Sequence, residues 1–567
     1  MPYIHFEMEG MKNVSDLLNQ GDYMVKIDLK DAYWHIPIHQ YSRKLLRFRW
    51  DKKLYEMGVL AFGVGPGPRI FTKLLKVPLT ILRRLMMKLV AYLDDLLIMG
   101  KSIEETLQAR DSVLYLFQQL GFTINWEKSV LQPTQEIEFL GMNLNSATMT
   151  VWLPQEKAQN LLNLCLENLR LKRISLRGLA SLIGKLQATL PAISIAPMQV
   201  RALQQDLISA QKKNMSYEQD ILLSQESQSN LQWWIKNITL SQGAPLKLGN
   251  PDVVMHTDAS SSEGWGASRV GGRSTGGVWT KEEKEKYHIN ELELLAAEIA
   301  LKTFLKDQKP KLVHLVMDNM TALHYLIRKG GTKSMVLTEI SKRIWEFLYQ
   351  QGTMITASWI PSKENTIADW RSRQKANSSE WELSNKAFQK IVNLWGIPEI
   401  DCFASRIMHK VPLYMSLNPD PDCVATNAFY QDWGSFPYLF PPFCLIGRIL
   451  KILKERQTPK AIVIAPLWPG QPWFSVLLTM IISEPICLSR QKGLLRNHPL
   501  IKNNSLHLAA FLVSGNNFKS RAFLSQLPKL CSKLGDQALH VLTKPLGKNG
   551  FCGVMSDRLI PLRHLWN

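Results

Sequence analysis

Two adjacent carboxylates, Asp94 and Asp95, stand between the apolar runs Leu89–Leu93 and Leu96–Met99. Strand, two-residue turn, strand is the simplest local fold for such a pattern, and it puts both acids at a hairpin tip. Like charges so close repel, unless a divalent cation sits between them. A second β-rich run, Met24–Ile27, leads into Asp28. If that strand lies beside the hairpin, three carboxylates share one place. Carboxylate oxygens suit hard cations, and two such ions a few ångström apart serve nucleotidyl transfer. An Asp-Asp turn by itself is also what a solvated hairpin tip looks like, so the neighbouring words decide.

Those words occur in order: Lys26-Ile27-Asp28-Leu29-Lys30-Asp31-Ala32-Tyr33, Leu60-Ala61-Phe62-Gly63, Tyr92-Leu93-Asp94-Asp95, and Phe139-Leu140-Gly141-Met142. Together they resemble the palm of retroelement reverse transcriptases. The resemblance implies that Asp28 and Asp94 hold two Mg²⁺ (Mn²⁺ a possible substitute), with Asp95 in support. Tyr33 would be the steric gate that rejects a ribose 2′-hydroxyl. Phe62 and Gly63 would line the incoming deoxynucleotide triphosphate and template, Lys128 would lie near the leaving pyrophosphate, and Leu140-Gly141 would grip the DNA primer. The sequence departs from the family at Ala61, where Pro is usual, and at Gly65-Pro66-Gly67. The fingers of the family lie upstream of Asp28 and are expected to be largely missing here. Residues 1–150 thus read as palm, and the mostly helical 151–245 as thumb and connection. Ser241–Pro245 reads as a linker.

A second acidic set follows. Val253-Val254-Met255-His256-Thr257 reads as a strand ending in Asp258, and Leu312–Met317 as another ending in Asp318. Glu293 lies in an apolar stretch with helical spacing, so it can face inward, and Asp369 should start or ride a helix. Over 251–373 this order resembles ribonuclease H, with Asn365–Arg373 like the closing motif of retrotransposon versions. Asp258, Glu293, Asp318 and Asp369 match the family's Asp-Glu-Asp-Asp set, which implies two more Mg²⁺ and cleavage of RNA in an RNA–DNA hybrid. No histidine precedes Asp369 in its loop, where many relatives carry one.

Residues 378–487 fit neither fold. Asp401-Cys402-Phe403-Ala404-Ser405 and Phe440-Pro441-Pro442-Phe443 resemble a degenerate phage-type adenine-N6 DNA methyltransferase, with an α/β interaction domain as the other reading. Phe440 stands where that family has an acceptor side chain, so no methylation is expected, although Asp401 could still contact S-adenosylmethionine and Phe443 could stack on a base. Residues 488–567 read as a basic tail; from 489 on, twelve Lys/Arg face two Asp/Glu. The fold class expected is therefore multidomain α+β and α/β: palm with helical thumb, ribonuclease H-like fold, then a methyltransferase-like region. That order resembles the polyprotein of DIRS-type retrotransposons. A gypsy-type LTR element is the alternative source, and would normally carry a zinc-binding His/Cys module in the region of 378–567, where none is seen.

The composition agrees. A formal charge of +20 suits a polyanionic partner such as an RNA template, a DNA primer or their hybrid. The seven cysteines form no Cys-x-x-Cys pair, which points to a reducing, intracellular compartment (cytoplasmic or nuclear) rather than secretion. The longest apolar run, Phe474–Ile482, is far short of the roughly 20 residues that span a bilayer. Two functions remain open: an RNA-directed DNA polymerase with ribonuclease H, or a decayed nucleic-acid-binding relic retaining at most the nuclease. The presence of all seven carboxylates favours the first.

Overall fold

The computed structural model describes residues 6–193, 196–239, 243–374, 381–488, 494–496, 506–528, 552–555 and 558–565. The chain divides into two compact units, 1–250 with 328–333, and 251–327 with 334–567. Among the described residues, no helix is long and apolar enough to cross a membrane.

In the first unit, a four-stranded sheet runs in the order Lys88–Tyr92, Asp95–Gly100, Tyr23–Asp28, Val130–Thr134. The central strand alternates a buried apolar face on either side: Val25 and Ile27 enter one core with Leu89, Leu96, Ile98 and Phe117, while Met24 enters another with Val90, Leu97 and Met99. A strand buried on both faces has to be apolar throughout, which is why Leu96–Met99 reads as an unbroken run. The helix Gly67–Arg84 packs Phe71, Leu75, Leu79 and Leu82 into the first of these cores. The helix Gln155–Leu171 shares the second core, through Leu161 and Cys165, with Phe139 and Leu144 of a second sheet. The block read as thumb is therefore built onto the same core as part of the palm. The linker expected at Ser241–Pro245 is corrected in its last residues. Ala244–Pro245 pairs antiparallel with Thr150–Val151 as the edge of that second sheet, a position that tolerates Pro because its missing N–H faces away from the ladder. Ser241 and Gln242 lie outside the described residues.

In the second unit, residues 253–359 form a five-stranded sheet in the order Ser274–Val278, Gly264–Arg269, Val253–Ala259, Leu312–Met317, Met354–Trp359. The first three strands are antiparallel and the last two join in parallel. The helix Ile289–Phe304 covers one face with Leu292, Leu295, Ala296 and Ile299. A larger eight-stranded sheet follows, ordered Ala425–Thr426, Tyr414–Ser416, Ile400–Ala404, Pro437–Leu439, Ala461–Pro466, Leu508–Val513, Ile486–Leu488, Arg563–His564. Its first five strands are parallel, and Leu508–Val513 runs antiparallel to both neighbours. The boundary expected at 487 is thereby corrected: Leu508–Val513 is buried throughout and sits inside the sheet, so the fold continues well into the segment read as a tail. Most of the remaining tail lies outside the described residues.

One close approach positions the acids of the second unit. The helix Thr366–Ser372 lies against the strand Gly264–Arg269 so tightly that a Cβ on Gly266 would stand 2.1 Å from the Ala368 carbonyl oxygen and 2.5 Å from the Ser372 nitrogen. Gly266 is the register partner of Asp258. Gly266→Ala should therefore push the helix off the sheet and destabilise this unit by about 1–3 kcal/mol. A thermal melt and limited proteolysis between 360 and 374 check this; an unchanged melt with unchanged protection would contradict it.

Candidate active sites

The first site is built by register. Asp28 ends its strand opposite Asp95, and Tyr92 pairs with Asp95 across the hairpin. The two turn residues are thus Leu93 and Asp94, and Asp95 is already in the strand, a shift of one from the turn expected at Asp94-Asp95. Leu93 takes the left-handed conformation at φ 53°, costing roughly 1–2 kcal/mol for a non-glycine. The Leu29 amide donates to the Asp94 carbonyl at 2.9 Å, tying the tip to the end of the Asp28 strand. The Ser129 hydroxyl accepts from the Asp28 amide at 3.0 Å. Partial desolvation raises the pKa of Asp94 and Asp95; the negative charge of Asp28 adds to it in both, and Lys128 opposes it in both. Lys128 is exposed and acts on the acids only through its charge.

Tyr33 is buried beside this site, its ring 4.9 Å from Phe62 and 5.6 Å from Phe71. Burial first, then Asp94, raises its pKa. Phe62 is 61% exposed, and Gly63 has φ 84°, a turn that a side chain would strain. Leu140 and Gly141, both at positive φ, form the turn between Glu136–Phe139 and Met142–Asn145, where the Gly141 carbonyl accepts from Lys157 Nζ at 2.9 Å.

The second site gathers three elements. Asp258, Glu293 and Asp318 each offer a carboxylate oxygen within 4.8 Å of the others, the one such trio among the described residues. Asp258 is at the sheet centre, and its Oδ2 accepts from the Ser372 hydroxyl. Asp318 follows its strand; its Oδ2 accepts from Ser362, and Trp359 Nε1 donates to its carbonyl at 2.7 Å. Asn365 Nδ2 donates to the Thr257 carbonyl at 2.8 Å, fixing the loop before the last helix. Asp369 rides that helix but stays outside the trio, paired with Arg373 at 2.6 Å. Ser362, Ser372, Arg373 and Gly266 were not foreseen as site residues; three of them lie in or beside the Asn365–Arg373 segment, whose wording was the available signal.

Two buried acids on one helix show what is unusual here. Glu298 is held below the usual carboxylate range by Arg343 and Lys302, against the opposing pull of its burial. Glu293 is just as buried and has no such partner. Burial, then Asp258 and Asp318, push it up to about 9, and its Oε2 accepts no hydrogen bond. Asp258 is likewise pushed up to about 6, chiefly by burial. Three convergent oxygens with no ion pair of their own among the described residues, Arg373 being paired with Asp369, are a donor set that fits a hard divalent ion.

The expected pocket residues of the C-terminal sheet fall elsewhere. Phe440 is buried in a core with Phe388, Tyr438 and Ile462. Asp401, read as a contact for a ligand, is corrected: it is buried, and its carboxylate accepts from the amides of Phe403 and Lys410 in its own loop. Phe443 packs its ring against Trp381 and Trp468.

A carboxylate whose pKa is raised by folding makes the folded state bind the extra proton, so stability falls as pH rises from the ordinary value toward the shifted one. For Glu293 that window runs from about 4.5 to about 9. Without divalent ions the melting temperature of the second unit should fall across this window. Mg²⁺ should raise it more at pH 8 than at pH 5, and binding at pH 7 should release close to one proton. Calorimetry in buffers of different ionisation enthalpy measures that release; no release would contradict a protonated Glu293.

Residues 2–144 match the family described as reverse transcriptase (RNA-dependent DNA polymerase). The chain is 23% identical over 382 residues to a putative enzymatic polyprotein of Cassava vein mosaic virus, covering 64% of this chain and 54% of the relative. It is 24% identical over 380 residues to the enzymatic polyprotein of Cauliflower mosaic virus (strain Strasbourg), covering 62% and 50%. The chain thus spans about half the length of these two relatives. A solved foamy viral protease-reverse transcriptase in complex with RNA/DNA hybrid superimposes with a TM-score of 0.37 at 18% identity, over 66% of this chain and 48% of that one. Residues 2–144 thus match the reverse transcriptase family, in a chain similar to viral polyproteins.

Proposed function

We propose that this chain is an RNA-directed DNA polymerase joined to a ribonuclease H that removes RNA from RNA–DNA hybrids during retroelement replication. The observation that carries the nuclease is the trio Asp258, Glu293 and Asp318, left without a basic partner in a reverse transcriptase-containing chain. For the polymerase it is the register that sets Asp95 opposite Asp28, with Asp94 pinned beside them. Asp258, Glu293 and Asp318 would hold Mg²⁺, with Asp369 reaching it once freed from Arg373; Asp28, Asp94 and Asp95 would hold it in the polymerase. The ion supplies charge neutralisation at the phosphate and lowers the cost of deprotonating the attacking hydroxyl or water. Asp258 is oriented by Ser372 and Asp318 by Ser362. Tyr33, wedged between Phe62 and Phe71, would present its ring edge to a sugar 2′ position. The order of the three regions supports a DIRS-type element as the source, with residues 378–487 a degenerate methyltransferase-like region.

With Mg²⁺ and an RNA–DNA hybrid, Asp258→Asn and Glu293→Gln should each lower kcat about 100- to 1,000-fold, the loss of several kcal/mol at about 1.4 kcal/mol per tenfold. Hybrid affinity should change less than about twofold, because phosphate contacts are spread over many basic residues. Cleavage at the parent rate by either variant would refute the assignment.

Primer extension should require Asp28, Asp94 and Asp95. Tyr33→Ala should then incorporate ribonucleotides. Unchanged rejection of ribonucleotides would remove Tyr33 from the gate.

A further inference from the structure

The eight-stranded sheet reverses its strand order beside Ile400–Ala404: the chain steps outward to Tyr414–Ser416 and Ala425–Thr426, then returns to Pro437–Leu439 on the other side. In open parallel sheets, such a reversal leaves a crevice at the carboxyl ends of the strands. Here that crevice is a cavity of about 190 Å³, many times what one water needs. Its floor is the strand ends around Phe403 and Ser405. Its other wall comes from the five-stranded sheet, through Trp265 and Gly277.

Two donors of this wall lack partners. Trp265 is 1% exposed, and its indole N–H makes no hydrogen bond; neither does the buried Ser405 hydroxyl. An unmet buried donor costs about 1–3 kcal/mol, and both residues line this one cavity, so an acceptor brought to them there would remove that cost. Gly277 keeps that approach open, since a Cβ there would stand 3.1 Å from Trp265 Nε1.

Charge narrows the occupant. Arg406 is committed to Glu283 by two bonds of 2.9 and 3.0 Å, so it is not free for a phosphate. Asp420 Oδ1 already accepts from the Tyr414 hydroxyl and the amides of Asp422 and Cys423, so it is poorly placed to take an ammonium or sulfonium. The rest of the lining is uncharged, and aromatic rings stand in it among aliphatic and amide side chains. Phe403 and Phe429 meet at 5.6 Å and 69°, and Arg448 lies 3.9 Å over the Phe429 ring and holds it in place. Flat walls, unmet donors and no free charge suit a flat, uncharged ring whose edge carries acceptors.

We propose that this cavity binds one nucleobase, with an edge acceptor on Trp265 Nε1 and Ser405 Oγ and a face against the phenyl rings. No member of the acidic trio lines the cavity, and the proposal does not rest on that trio's assignment. The base comes either as a free nucleoside or as an unstacked base of a bound single strand.

The test is calorimetry and saturation-transfer NMR on the full chain with adenosine, guanosine, cytidine and uridine. At least one should bind, and Trp265→Phe, which keeps an aromatic ring and removes the N–H, should weaken it about three- to tenfold. Ser405→Ala should do the same, and keeps the test open if the Trp265 variant fails to fold. Displacement of the nucleoside by a single-stranded oligonucleotide, but not by one of abasic sugars, identifies the strand as the source; failure to displace identifies the free nucleoside. No binding at millimolar nucleoside, or equal binding by folded variants and parent, overturns the proposal. So does tighter binding of S-adenosylmethionine than of adenosine, which would show a site for a charged ligand.

Discussion

The burial of Glu293 between Asp258 and Asp318 is the constraint around which the second unit is arranged. Taking one carboxylate out of water is costly, and setting two more beside it adds repulsion. A fold can accept that only if the acids are carried on elements rigid enough not to spread apart. Here Asp258 lies on the central strand, Asp318 at the end of its parallel neighbour, and Glu293 on a helix whose apolar face is sealed against the same sheet. Gly266 then lets the last helix approach closely enough for Ser372 to reach Asp258. The cost is met by geometry elsewhere in the unit, which is the usual arrangement where a site must be ready for a cation before one arrives.

The first site meets the same repulsion in a milder way. Asp94 is exposed at the hairpin tip, and Lys26 and Lys128 offset the field at Asp95. Its demand falls on the backbone instead: Leu93 is held left-handed so that Asp94 can turn beside Asp28 while Asp95 stays in the ladder. One site stores its cost as desolvation and the other partly as a strained turn. The two should therefore answer differently to pH, with the second the more sensitive.

What the sequence made legible follows from how local each signal is. Strands ending in acids were readable, because alternation or an unbroken apolar run fixes a strand without knowledge of its partner. The turn at Asp94-Asp95 was misplaced by one residue, because nothing local says that Leu93 will accept a positive φ; only the register with Tyr23–Asp28 forces it. Ala244–Pro245 looked like a linker by its Gly and Pro content, and its pairing with Thr150–Val151 depends on residues some ninety positions away. The Asp369–Arg373 pair was hidden for a different reason. Two charged residues at i and i+4 on a short helix read as a solvated face, and that Asp369 also stands near Asp258 and Glu293 is a fact of tertiary structure.

The C-terminal region shows why motif resemblance and site geometry have to be argued separately. Asp401 and Phe440 drew notice because of the words around them, yet both are turned to structural use. Asp401 caps its own loop, and Phe440 fills a core. The strand order nevertheless leaves a crevice at the place where open parallel sheets tend to have one, because a reversal of order separates the loops on either side whatever residues they carry. Topology therefore fixes where a cavity can form, while its chemistry is set by whichever side chains face it. Here a wall of that cavity is Trp265, a residue of the neighbouring sheet that is the register partner of Ala259, one step along from the Asp258–Gly266 pair. A ligand touching that indole would press on the strand that Asp258 is paired with, so the cavity and the acidic trio share a mechanical element even though no side chain belongs to both.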